Sequence, residues 1–248
     1  STLRTRAQRK DDHYILNGVK QFVTTGSNAD IALVFARTGA PDSGKNGISA
    51  FIVPTQSKGY VVARVEDKMG QRASDTCQIV LEDVEVPVEN RIGAEGEGYR
   101  IALANLESGR IGIASQAVGM ARSAFEAALD YAKERKTFGK AIIDHQAVGF
   151  RLADMATEIE AARQMVRHAA CLRDAGRPCL VEASMAKTTA TDMAEMVCSD
   201  ALQTLGGYGY LEDHPLERIL RDARVTRIYE GSNDIQRLVI SRVLAREG

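Results

Sequence analysis

Cysteine and histidine are scarce in this chain. The 248 residues hold four cysteines, at 77, 171, 179 and 198, with no CxxC pair, and four histidines, at 13, 145, 168 and 214, that lie far apart. No Cys/His cluster has metal-ligand spacing, so no bound metal is expected, and the thiol pattern is that of reduced core or surface cysteines in a cytosol-like compartment. An excess of one charge is also lacking. The formal net charge is −1, without a polybasic arm or an acidic tail, which argues against nucleic acid or an anionic membrane surface as partner. No apolar run approaches the ~20 residues that span a bilayer, no secretory leader pattern opens the chain, and tryptophan is absent. What is present is an ordinary globular composition, 44% hydrophobic and 26% charged, in a length that suits one large domain or two smaller ones. The chain opens on Ser1-Thr2-Leu3-Arg4, without Met and already within a polar-to-strand pattern, as the interior of a larger protein would.

Two periods divide the chain. Residues 1–92 read as β. Tyr14-Ile15-Leu16 and Lys20–Thr24 flank Asn17-Gly18, a hairpin signal. Ile31–Ala36 is a continuous apolar run, expected as a strand buried on both faces; Ile48–Val53, Tyr60–Val65 and Gln78–Val86 follow at close spacing, which suggests a small barrel or sandwich. Residues 93–98, Gly-Ala-Glu-Gly-Glu-Gly, invite a phosphate-loop reading, but the Lys-Ser/Thr of such a loop is missing, and they read as a domain boundary. From residue 99 the period is helical. Stripes on Leu103, Leu106, Arg110, Ile113, Ala117, Met120, Ala124 and Ala128, then on Val148 to Leu172, then on Ala186 to Ala201, predict three long helices. A shorter helix after Pro215 and another after Ser232, its plausible N-cap, complete a split fourth, and so an antiparallel bundle. The fold class expected is α+β multidomain: a small β-barrel-like domain at 1–92, then an up-down four-helix bundle at 93–248.

Several patches depart from plain patterning, and each has a bland alternative. Arg135-Lys136-Thr137-Phe138-Gly139, followed by His145-Gln146, suits a diphosphate through paired arginine donors, or is a basic helix C-terminus with a glycine stop. Gln203-Thr204-Leu205-Gly206-Gly207-Tyr208-Gly209 allows close backbone approach to a ligand, or is a helix cap and tight turn. Glu107 and Arg110 share a helical face, as an i,i+3 pair also would. Phe22-Val23-Thr24 puts a ring and a hydroxyl on one strand face, as β-propensity alone can. Tyr229-Glu230-Gly231 places a lone carboxylate at a helix junction, where it is either a solvated turn residue or a base facing a cavity.

Together and in this order, Phe22-Val23-Thr24, Arg135-Lys136-Thr137-Phe138-Gly139-Lys140, the Gln203–Gly209 run and Ile228-Tyr229-Glu230-Gly231 resemble the flavin-dependent acyl-CoA dehydrogenases, over essentially the whole chain. The resemblance implies FAD between a middle β domain and a C-terminal bundle. It places Phe22 beside the flavin ring and Thr24 in a hydrogen bond to it. Arg135, Thr137 and Phe138, with His145 and Gln146 alongside, would reach the FAD of a neighbouring subunit. Gln203, Gly206 and Gly207 would hold the adenosine diphosphate part, and Ser232 and Asp234 would touch FAD, with Asp234 standing where some members have Gln. Glu107, Arg110, Tyr229 and Gly231 would line the acyl-CoA pocket. The reaction implied is α,β-dehydrogenation of an acyl-CoA thioester to the trans-2-enoyl-CoA, with Glu230 removing the α-proton while the β-hydrogen leaves as hydride to flavin N5. One branch of the family carries its base immediately before the position of Arg110; here that residue is Gly109, which leaves the role to Glu230.

The resemblance also implies an electron-transferring flavoprotein as partner, a homotetramer built as a dimer of dimers, no membrane span, and a cytoplasmic location or, in a eukaryote, the mitochondrial matrix. The family's helical N-terminal domain and a flavin-contacting loop would precede Ser1. Two alternatives stand beside this reading: a non-catalytic helical oligomer that keeps only the bundle interface, and a family member of variant chemistry. Nitroalkane oxidases carry Asp in the place of Glu230, which argues against that variant.

Overall fold

The computed structural model describes residues 3–246. They form two compact units, one of residues up to 68 with 72–105, the other of 69–71 with the residues from 106 onward.

The first unit is built on strands β1 (Arg6–Lys10), β2 (His13–Thr24), β3 (Ile31–Arg37), β4 (Ile48–Pro54), β5 (Tyr60–Val65), β6 (Thr76–Pro87) and β7 (Arg91–Ile92). They make one sheet in the order β5-β6-β2-β1-β3-β4-β7, antiparallel except for the β1–β3 pair. Its buried side chains, among them Tyr14, Leu16, Val34, Phe51, Ile79 and Val84, form a single apolar cluster. Three strand spacings of roughly 4.8 Å separate β2 from β4 in the plane of a sheet, yet the rings of Tyr14 and Phe51 lie 4.9 Å apart, edge to face. The sheet therefore curls until its own inner face covers itself, as a barrel does.

Two sequence expectations for this unit are corrected. Asn17-Gly18 is no turn: both residues lie inside β2, and the turn into β2 is made at Asp11-Asp12, with Asp11 at φ +43. Gly18 instead permits a close crossing, because a Cβ there would lie 2.8 Å from Thr5 Cα. The Asn17 side chain closes a bulge on β6, donating to Asp83 Oδ1 at 2.8 Å and accepting from the Asp83 amide at 2.9 Å. Likewise β3 is not buried on both faces. Ile31 and Leu33 are exposed, whereas Val34 and Ala36 are in the core, so an apolar run without alternation still has an in–out period.

The second unit is helical: α1 (Gly98–Glu134, which crosses into it from the first unit at residue 106), α2 (Gln146–Asp174), α3 (Leu180–Leu205), α4 (Leu216–Arg224) and α5 (Asn233–Leu244). A two-stranded hairpin, β8 (Lys136–Thr137) with β9 (Lys140–Ala141), joins α1 to α2. Alanines line the seams: Ala114, Ala117, Ala121, Ala124, Ala128 and Ala132 on α1, and Ala183, Ala186, Ala190, Ala194 and Ala201 on α3, are all buried in one core. Such small side chains let helix axes approach closely. Five residues connect α2 to α3, a length suited to antiparallel neighbours, and α4 and α5, the two pieces of the expected split fourth helix, both pack on α3.

Candidate active site

In the second unit the chain leaves α4 through a single 3-10 turn at Val225–Arg227 and reaches α5 through residues 228–232. There Glu230 and Gly231 are consecutively left-handed, at φ +55 and φ +86. For a side-chain-bearing residue this costs roughly 1–2 kcal/mol, so the surroundings must enforce it. The Gln236 amide, from α5, donates to the Glu230 carbonyl at 3.3 Å and to the Gly231 carbonyl at 2.9 Å. The Lys187 ammonium, from α3, donates to the Gly231 carbonyl at 3.0 Å and to Asn233 Oδ1 at 2.8 Å.

The turn presents the Glu230 carboxylate to the bare backbone of α1 at Gly109. A Cβ built on Gly109 would lie 2.6 Å from Glu230 Cδ and overlap Oε1. The adjacent Arg110 is 5% exposed and donates to Ser184 Oγ at 3.3 Å, while its buried Nε makes no hydrogen bond. Burial holds the Arg110 guanidinium below its ordinary pKa, against the opposing pull of the Glu107 and Glu230 carboxylates. Tyr229 donates to Gln116 Oε1 at 2.5 Å, and burial raises its phenol. Glu107 accepts from Cys179 Sγ at 3.2 Å; burial, then the bond to that carboxylate, push the thiol up to about 11. A carboxylate on a strained turn, facing bare helix backbone beside an incompletely satisfied guanidinium, is a geometry in which a base can meet a substrate.

A second group surrounds a cavity of about 550 Å³ in the same unit. Arg135, Thr137, Gln203, Gly206 and Gly207 line it together with Tyr131 and Tyr208. Gly206 is left-handed at φ +59, and a Cβ on either Gly206 or Gly207 would meet nothing within 4 Å. Arg135 lies 6.0 Å from the Tyr208 ring centroid. Thr137 Oγ1 and His145 Nε2 share a 3.0 Å hydrogen bond. The tip of the β8–β9 hairpin throws Phe138 outward at φ +52 and 97% exposure, its ring edge-on to His145. Gln146 begins α2 directly after. Arginine and amide donors beside open glycine backbone are the donor set a diphosphate asks for, and an exposed aromatic on a fixed hairpin suits a planar ring. These residues fit FAD.

In the first unit, Phe22 lies within a bulge of β2 between Lys20 and Val23, at φ +58 and 72% exposed. A bulge re-aims a side chain off the sheet face. Thr24, at the end of β2, lines a separate cavity of about 370 Å³.

Ser232 and Asp234 follow the Glu230 turn at the start of α5. Ser232 occupies the N-cap of α5 but makes no side-chain cap bond. Asp234 is exposed and pairs with Arg237, 3.3 Å away. Sequence reasoning passed over Lys187, Asn233 and Gln236. Lys187 is fully buried on the small-residue face of α3, between Ala183 and Ala190.

Comparison with known proteins places the chain in a family. The family descriptions "Acyl-CoA dehydrogenase, middle domain" and "Acyl-CoA dehydrogenase, C-terminal domain" match residues 1–84 and 96–245. An acyl-CoA dehydrogenase of Bacillus subtilis (strain 168) is 53% identical over 243 residues, 98% of this chain and 64% of its own length. A chain in the structure of the electron transferring flavoprotein of Acidaminococcus fermentans superposes with a TM-score of 0.97 at 50% identity, over 99% of this chain and 64% of that one. Butyryl-CoA dehydrogenase from Megasphaera elsdenii superposes with a TM-score of 0.95 at 45% identity, over 98% and 63%. The chain thus spans about two thirds of the length of the relatives it matches. With two family domains matched in order and more than half of the residues shared with a named relative, the chain belongs to the acyl-CoA dehydrogenase family, a family of FAD-dependent flavoproteins.

Proposed function

We propose that this chain forms the middle and C-terminal part of an FAD-dependent acyl-CoA dehydrogenase, with Glu230 as the base that removes the substrate α-proton. The observation that carries the reading is the fit of the Glu230 carboxylate into the space left by Gly109, on a turn held in a costly conformation.

FAD, when bound, supplies the acceptor for the β-hydride. The protein's part is binding, alignment and proton handling. Arg135 and Gln203 would hold the diphosphate side of FAD, with Gly206 and Gly207 giving room for backbone approach, and Thr137, Phe138, His145 and Gln146 would form the adjoining edge; Phe22, Thr24, Ser232 and Asp234 are the further residues that the family resemblance assigns to it. Glu107, Arg110, Tyr229 and Gly231 line the thioester pocket. The Glu230 backbone N–H donates to the thioester oxygen as enolate-like charge develops there, the kind of donor typically worth ~10²–10³ in rate. The Glu230 carboxylate takes the α-proton, a role worth ~10²–10⁴ for a well-placed base. The electron acceptor would be an electron-transferring flavoprotein, a partner supported by the likeness to a chain in the Acidaminococcus structure, and the working unit would be a homo-oligomer.

The full-length protein should purify with flavin absorbance, and that absorbance should bleach on anaerobic addition of one or more members of a panel of C4 to C16 and branched acyl-CoAs. A flavin-loaded protein that no member bleaches would overturn the assignment.

A further inference from the structure

We propose that Lys187 is a positioning residue for this reaction: its buried ammonium, bonded to the Gly231 carbonyl and the Asn233 side chain, locks the left-handed turn that aims the Glu230 carboxylate over Gly109. The proposal rests on the reading of Glu230 as the base.

A fully buried lysine needs a reason, because burying an ammonium costs several kcal/mol unless acceptors replace water. Here both acceptors belong to the segment that carries Glu230. The Gly231 carbonyl, one peptide unit beyond the base, accepts from Lys187 Nζ at 3.0 Å and from Gln236 Nε2 at 2.9 Å. It is thus gripped from α3 on one side and from α5 on the other. Asn233, the first residue of α5 and also buried, extends the grip: its Oδ1 accepts from Lys187 at 2.8 Å, and its Nδ2 donates to Thr191 Oγ1 at 2.9 Å and to Asp192 Oδ1 at 2.8 Å. Asp192 in turn meets Arg227, in the 3-10 turn before the base, at 2.6 Å, and Arg237 on α5 at 2.9 Å. Both flanks of the Glu230 turn are therefore tied to α3, and Lys187 reaches the turn itself.

The charges around Lys187 agree with this placement. Asp192 on α3 and Glu230 on the turn draw its proton on; Arg110 on α1 and Arg227 after α4 oppose; burial outweighs them all and lowers its pKa to about 8. A group kept at such a cost for bulk alone would be replaceable by Met. Lys187 differs, because a methionine cannot donate to the Gly231 carbonyl.

The test uses full-length flavin-loaded enzyme in four forms: wild type, Lys187→Met, Lys187→Arg and Glu230→Gln. Lys187→Met is expected to lower kcat by about 10²-fold, the effect of an ångström-scale misplacement, with KM within about twofold. Hydrogen–deuterium exchange, which needs no turnover, should quicken at residues 228–236 and stay unchanged in the remainder of α3. Lys187→Arg, which keeps the charge and donors, should recover part of kcat. If Glu230→Gln is inactive while Lys187→Met keeps wild-type kcat and exchange at 228–236, the Lys187 role is overturned and the base assignment survives. If Glu230→Gln turns over fully, the base assignment itself fails. If both Lys187 variants fail to fold, Lys187 is a folding residue of α3 and the proposal is overturned.

Discussion

At Gly109 one absent Cβ decides where the Glu230 carboxylate can stand. Any side chain there would occupy the space of the Glu230 carboxylate. Gly109→Ala should therefore act in opposite directions on two readouts. Alanine in a helix interior is favoured over glycine by ~1 kcal/mol, so thermal stability of the full-length enzyme should hold or rise, while kcat should fall by about 10²-fold as the carboxylate is displaced. Parallel melting and turnover measurements check this; unchanged kcat would contradict it. Lys187 yields a pH prediction. Its folded pKa, about 8, lies below its ordinary 10.5. The unfolded chain thus binds the extra proton between those values, and stability rises with pH across that window, by up to about 3 kcal/mol. Below pH 8 the burial penalty is fully present. Wild type should gain on Lys187→Met in denaturant titrations from pH 8 to 10.5, and a constant difference would contradict the assignment. The order of distant motifs singled out Glu230, whose own surroundings in sequence are those of any turn. Lys187 was not legible, because one lysine in a helical stripe reads as a solvated residue until the neighbouring helices bury it.

At the scale of elements, the three long helices and the split fourth were legible because apolar residues recur every three or four positions and glycine or proline ends each run. The strands were legible in kind, but pairing depends on chain crossings that no local pattern records. Asn17-Gly18 has the composition of a hairpin turn and serves a crossing over Thr5 instead. Gly18 sits at φ +142 with Thr5 Cα 2.8 Å from the place of its Cβ. Gly18→Ala should therefore destabilise the β unit by about 1–3 kcal/mol, seen as a lower midpoint in chemical denaturation; an unchanged midpoint would contradict the crossing. The Phe22 bulge was likewise hidden, since the extra residue between Lys20 and Val23 appears only when β2 is paired with β6.

Over the whole molecule, the scattered cysteines now have distinct environments. Cys171 is exposed, whereas Cys77, Cys179 and Cys198 are buried, and burial pushes the thiols of Cys179 and Cys198 up to about 11 and about 12. At pH 8 a thiol reagent should label Cys171 in the folded protein and all four after unfolding, by peptide mapping; labelling of Cys179 or Cys198 as fast as Cys171 would contradict their burial. The sheet unit carries a bulged, exposed aromatic at Phe22, and the helical unit carries a glycine-rimmed cavity and the Glu230 turn. The most direct measurement is anaerobic stopped-flow mixing of flavin-loaded full-length Glu230→Gln with an acyl-CoA that bleaches the wild type. FAD should be retained and bleaching should slow by at least about 10²-fold. Bleaching at the wild-type rate would show that another group removes the α-proton.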